Sequence, residues 1–235
     1  MKLSNPFRTL NKFETALWIV SLAVVTLSFA VSAAMSGEWD LLTLAASLIG
    51  VTALIFVSKG HVFGQILTVV FAVFYGIISF WFRYYGEMIT YLCMTAPIAA
   101  AAVVSWARHP FADSSEVEVS RLTRGKLIFM AVSAAAVTVL FYFILGWLGN
   151  ANLLISTLSI TTSYTASYLT LFRSPYYATA YSLNDIVLIV LWTLASFSNL
   201  SYVPMIFCFV MFLANDLYGF VNWRRMRKRQ ENSSL

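Results

Sequence analysis

The chain has 235 residues, of which 60% are apolar and only 11% charged, and its mean hydropathy is +0.79. A soluble domain of this size carries about a quarter charged residues, so an ordinary water-soluble enzyme is excluded. The net charge of +5 does not mark a nucleic-acid binder, because the basic residues cluster at the ends of apolar runs. Two cysteines, Cys93 and Cys208, exclude a disulfide scaffold; both lie in apolar runs and read as buried thiols.

A bilayer core of roughly 30 Å takes about 20 apolar residues in a helix. Charges and breakers cut the sequence into eight such stretches: 16–35, 41–57, 62–82, 88–107, 127–148, 153–172, 176–197 and 202–223. They are long and continuous, without the alternation of a barrel strand, so the expected fold is all-α and polytopic. Basic residues before the first run and the stretch Val31, Ser32, Ala33 and Ala34 at its end also resemble a cleavable secretory signal. The run is long for a signal, and a retained first helix is expected.

Eight spans place both termini on one side. Lys2, Arg8, Lys12, Lys59, Arg108, Arg121, Arg124, Lys126, Arg173, Arg224, Arg225, Arg227, Lys228 and Arg229 all fall on that side, against Arg83 alone on the other. The positive-inside rule makes the basic side cytoplasmic.

Two features recur about 115 residues apart. Trp106-Ala107-Arg108 ends the fourth span as Trp223-Arg224-Arg225 ends the eighth, and Lys59 precedes the third as Arg173 precedes the seventh. The related segments are four spans apart and cross in the same direction, as in transporters built from parallel repeats. The expected division is 1–36 (N-terminus and extra helix), 37–108 (first three-helix unit), 109–150 (loop and linking helix), 151–223 (second unit) and 224–235 (basic tail).

Polar groups inside spans are costly and therefore informative. Asp185 and Asp216 are the two acids well inside spans, where an ionised carboxylate costs about 2.5–3.5 kcal/mol on insertion scales. Helical spacing places Gln65, Thr68, Tyr75 and Ser79 on one face of the third span. It places Tyr177, Tyr181, Asn184 and Leu188 on one face of the seventh, with Trp192 a turn beyond, and Asn215, Tyr218, Gly219 and Asn222 on one face of the eighth. Amides offer donors and acceptors together, and rings offer flat stacking surfaces, so these faces suit a polar ligand with an aromatic part. A cationic ring would be favoured by the rings and by Asp185 or Asp216. No basic residue lies mid-span, which argues against a phosphorylated substrate. The serines of the sixth span also fit simple helix contact, and Trp18, Trp39, Trp81, Tyr84, Tyr85 and Trp147 fit an interfacial belt. Histidines, lysines and glycines lack the placement for metal, Schiff-base or nucleotide chemistry, so no enzyme and no cofactor is expected.

The segment Asn215-Asp216-Leu217-Tyr218-Gly219-Phe220-Val221-Asn222-Trp223, with its basic tail, resembles the N-x-x-Y-G-x-x-x-W element of PnuC-type vitamin transporters. The helix carrying Tyr177, Tyr181 and Asn184, preceded by Arg173, is similar to their aromatic-rich helix, with Tyr177 and Ala180 where that family often has a W-x-x-W pair. The resemblance implies a 3+1+3 arrangement similar to the SWEET sugar transporters, a homotrimer in the bacterial inner membrane, and facilitated diffusion of nicotinamide riboside trapped by cytoplasmic phosphorylation. The substrate-binding set would be Gln65, Thr68, Tyr75, Tyr177, Tyr181, Asn184, Asp185, Trp192, Asn215 and Tyr218. A proton-coupled carrier of another B vitamin or a sugar, and a membrane subunit with no substrate, are the alternative readings.

Overall fold

The computed structural model describes residues 5–81, 85–112, 114–150 and 152–233. Its main elements are helices α1 (Lys12–Ser36), α2 (Leu41–Ser58), α3 (Val62–Trp81), α4 (Tyr85–Arg108), α5 (Arg124–Trp147), α6 (Leu153–Leu171), α7 (Tyr177–Ser196) and α8 (Val203–Ser233). Seven are long and apolar enough to cross a membrane; α6 has the length but is diluted by its hydroxyl residues. The fold is all-α and polytopic, with helices α2–α4 and α6–α8 forming two packed triples. The helix α5 joins them, and α1 packs against α2 and α8. The expected end of the third span at Phe82, together with Arg83, Tyr84 and Lys2, lies outside the described residues.

Helix ends follow local chemistry more than hydropathy. A reciprocal cap starts α1 earlier than its apolar run. Asn11 Oδ1 accepts from Glu14 N at 2.9 Å, while Asn11 N donates to Glu14 Oε2 at 2.7 Å. Helix α8 runs past its apolar part to Ser233 because its tail is tied down by side chains. The expected continuous fourth span is interrupted by a π-helical stretch, Thr90–Thr95. Pro97 follows; it has no N–H for the carbonyl four residues back and would clash with it, and the widened turn relieves both problems. Cys208 is buried as expected, but Cys93 faces outward from this stretch and is exposed. Of the expected belt residues, Trp39, Trp81 and Trp147 are exposed, whereas Trp18 is half-buried and its indole donates to Thr52 Oγ1 at 3.1 Å.

The turns after α2 and α6 close in the same way. Gly60 N donates to Val57 O at 2.9 Å and His61 N to Phe56 O at 2.9 Å; Arg173 N donates to Thr170 O at 3.0 Å and Ser174 N to Leu169 O at 2.9 Å. Each turn needs one left-handed residue, Gly60 (φ 68°) in the first and Arg173 (φ 56°) in the second. A tryptophan from the opposite triple then completes each helix end. Trp223 Nε1 donates to Val57 O at 3.0 Å, and Trp106 Nε1 donates to Thr170 O at 2.9 Å. The two indoles are fully buried and their rings meet at 5.4 Å.

The loop between α4 and α5 clasps both turns. Val117 N donates to Gly60 O at 2.9 Å, and Ser120 N donates to Arg173 O at 3.0 Å. The α8 tail holds the loop from the other side. Gln230 Nε2 donates to Val117 O at 3.0 Å and Gln230 Oε1 accepts from Val119 N at 2.8 Å, with Arg229 paired to Glu116 and Arg121 to Glu231. His61 sits in this clasp with Nδ1 accepting the Phe63 amide at 3.1 Å. Burial first, and the Lys59 charge second, hold its imidazolium below the ordinary histidine range.

Trp106→Phe and Trp223→Phe should each lower stability by about 0.5–1.5 kcal/mol, the net worth of one hydrogen bond, because Arg173 N and Gly60 N still donate to Thr170 O and Val57 O; the loss is read as a lower Tm of the detergent-solubilised protein. For His61 the folded state disfavours the proton, so its contribution is present above about pH 6.5 and lost as pH falls below it. Wild-type Tm should therefore drop between pH 7 and 5 more steeply than that of His61→Asn, whose amide oxygen can accept the same bond.

Candidate functional site

A chamber lies between the two triples, near the basic end of the bundle. Gln65 is about one turn into α3 and Phe71 is near that helix's middle. On α3 the chamber is lined by Gln65, Thr68 and Phe71, and on α7 by Tyr181, Asn184 and Asp185. Helix α4 adds Tyr91 and Thr95, α6 adds Ser163, and α8 adds Phe209, Phe212 and Asp216. Gly50, Ala53, Leu54 and Val57 of α2 form an apolar floor.

The polar lining is held in place from behind. Asn184 Oδ1 accepts from Thr162 Oγ1 at 2.8 Å, and Tyr181 shares a hydrogen bond with Ser167 at 3.3 Å. Thr68 donates back to Gly64 O at 2.9 Å. Asp185 on α7 and Asp216 on α8 both line the chamber. They are 2% and 1% exposed, and Asp185 Oδ2 and Asp216 Oδ1 have no hydrogen-bond partner among the described residues. Two buried carboxyl groups on one low-dielectric lining favour a cationic partner. The opposite wall is aromatic, with Phe71 5.8 Å from Tyr91 and 5.6 Å from Phe212, and Phe209 5.3 Å from Phe212. Amides, a carboxyl pair and ring faces thus converge on one space.

That space is narrow in this conformation. Its cavity volume is about 50 Å³. A nucleoside-sized ligand requires the lining to move apart.

The structure brings Gln65, Thr68, Tyr181, Asn184 and Asp185 to this chamber and places the other sequence-selected residues elsewhere. Tyr75 lies on the far side of the aromatic wall, its ring 4.4 Å from Tyr91. Trp192 packs on Tyr202 at 5.6 Å and borders two outer cavities. Tyr177 is fully buried with its ring 4.7 Å from Trp223; a Cβ at Gly219 would meet its hydroxyl at 2.7 Å, so glycine permits this approach. Asn215 and Tyr218 face α1. Asn215 Nδ2 donates to Ser21 Oγ at 3.0 Å and to Met211 O at 2.7 Å, and Tyr218 donates to Glu14 Oε1 at 2.6 Å. Glu14, 1% exposed, also pairs with Lys59 at 2.8 Å.

The physical reason is the angular step of a helix. Asn215, Tyr218 and Asn222 share a stripe, and that stripe lies against α1 and the turn after α2, where Asn222 Nδ2 donates to Ser58 O at 2.9 Å. Asp216, one residue on, turns to the chamber with Phe209 and Phe212. Sequence reasoning missed this second stripe as a lining. Its signal was an intramembrane acid at helical spacing from two phenylalanines.

Two helix triples around a polar, aromatic-walled chamber form an architecture used by multi-pass membrane transporters. The model of the nicotinamide mononucleotide transporter family matches residues 40–225, and the chain belongs to that family. The nicotinamide riboside transporter PnuC of Neisseria mucosa is 26% identical over 189 residues, covering 78% of this chain and 72% of the relative. The crystal structure of the vitamin B3 transporter PnuC shares the fold, with a TM-score of 0.78, 24% identity and 94% of both chains covered. Family membership sets aside the reading as a substrate-free membrane subunit.

Proposed function

We propose that this protein carries nicotinamide riboside across a bacterial inner membrane by facilitated diffusion. The substrate occupies the chamber between the triples, which open in turn to either side as one unit rocks against the other, and phosphorylation by a cytoplasmic kinase traps it. Both termini face the cytosol, in keeping with the one-sided basic residues. Three such chains form the working assembly, by analogy with the resemblance drawn from sequence. Little of α5 is buried within the single chain, which leaves it available to lipid or to a neighbouring copy.

The observation that carries the substrate is the charge of the lining. Among the described residues, the chamber lining holds two carboxyl groups and no lysine, arginine or histidine. A phosphate ester would meet no cation among these side chains, whereas the pyridinium ring of the riboside meets Asp185, Asp216 and the rings of Phe71, Tyr91, Tyr181, Phe209 and Phe212. Gln65, Thr68 and Asn184 supply the donors and acceptors that a ribose and a carboxamide need.

The same acid pair favours a second reading. A proton held between Asp185 and Asp216 and released to one side would make the carrier proton-coupled.

Asn184→Ala should weaken nicotinamide riboside binding by more than about 1 kcal/mol, the scale of a buried hydrogen bond, in calorimetric titration of the purified protein; unchanged affinity would remove Asn184 from the site. In proteoliposomes, uptake should persist when the pH gradient is collapsed. Uptake that stops on collapse would select the proton-coupled mechanism.

A further inference from the structure

A second cavity opens at the end of the bundle opposite the basic residues. Its cavity volume is about 420 Å³, far more than that of the inner chamber. That is the range of a small-molecule pocket. Its rim carries Glu38, Trp39 and Asp40 from the connection between α1 and α2, and Trp81 from the end of α3. Its deeper wall carries Tyr75, Trp192 and Tyr202.

We infer that this vestibule is an outer docking subsite for a positively charged aromatic solute, occupied before the solute reaches the inner chamber. Indole and phenol faces attract a cation through their ring quadrupoles, and two carboxylates on the same rim add direct attraction. A buried polar group also points to a ligand. Thr43 is 4% exposed and lines the cavity, and its hydroxyl oxygen has no hydrogen-bond partner among the described residues. Asp40 is held in place as the cap of α2, with Oδ1 accepting from Thr43 N at 3.0 Å.

The vestibule and the inner chamber are separated by a single layer of rings. Tyr75, 2% exposed, forms part of the vestibule wall, and its ring lies 4.4 Å from Tyr91 and 5.4 Å from Phe71, both of which line the chamber. A solute leaving the vestibule therefore moves from one set of aromatic faces to the next without crossing a purely aliphatic barrier. The choice of a pyridinium as solute rests on the proposed function; the cage of rings and carboxylates does not.

Pyridinium cations quench indole fluorescence on contact, so Trp39, Trp81 and Trp192 are built-in reporters. The test titrates the full-length detergent-solubilised protein with 1-methylnicotinamide, a pyridinium without ribose, and with neutral nicotinamide. The cation should quench saturably and the neutral compound should not. Glu38→Gln/Asp40→Asn, which keeps a capping side chain on α2, should raise the half-saturating concentration about fivefold, the scale of losing partly exposed charge contacts. Trp39→Phe should reduce the quenched amplitude. The same titration on Asp185→Asn/Asp216→Asn locates the cation: undiminished quenching supports the vestibule, and its loss places the cation in the inner chamber and overturns the subsite. Linear, non-saturating quenching of the wild type, or an unchanged half-saturating concentration in the rim variant, also overturns it. Saturable rim-dependent quenching in a protein that fails to take up nicotinamide riboside would leave the subsite standing and defeat the proposed function instead.

Discussion

A helix that ends against other helices leaves backbone carbonyls which neither water nor lipid can satisfy, and this fold depends on how two such ends are met. Val57 O and Thr170 O close equivalent turns after α2 and α6, and each takes a further hydrogen bond from an indole of the opposite triple, Trp223 or Trp106. The bond is a stability device, because a hydrogen bond of this kind contributes on the order of 0.5–1.5 kcal/mol net. It is also a positioning device. The exchange fixes the two triples relative to each other at the basic end, and the inner chamber sits just beyond it.

The clasp of the α4–α5 loop extends the same logic outward. One short strand of backbone donates to Gly60 O and to Arg173 O, so both turns share one tether. Tail residues Arg229 and Gln230 then hold that tether in place. The basic end is consequently closed in this conformation, while the opposite end carries the roomier vestibule. The proposed rocking of one triple against the other would have to loosen either the tether or the bonds around the indoles.

The helices were legible in the sequence because the hydrocarbon thickness imposes a length and expels charge, and both constraints act residue by residue. The paired Trp106 and Trp223, and the paired Lys59 and Arg173, were legible from spacing, although not that the indoles cross between triples. Gln65, Thr68, Tyr181 and Asn184 were found because α3 and α7 each turn one polar stripe toward the chamber. On α8 the same reasoning chose the stripe of Asn215 and Tyr218, since polar stripes look alike whether they face a ligand or another helix. Only the position of α1, with Ser21 and Glu14 waiting for those side chains, decides between them. The π-helical stretch before Pro97 was invisible to hydropathy, which does not register hydrogen-bond phase.

The crossed indoles have a consequence for biogenesis. The acceptor of Trp106 lies 64 positions downstream, on a helix made later. The first triple therefore reaches the bilayer with a bare N–H, and that group is quenched only when α6 arrives. The acceptor of Trp223, by contrast, is already waiting on α2 when α8 is synthesised. Assembly thus has a direction, and its last step seats α8 against a carbonyl fixed at the outset.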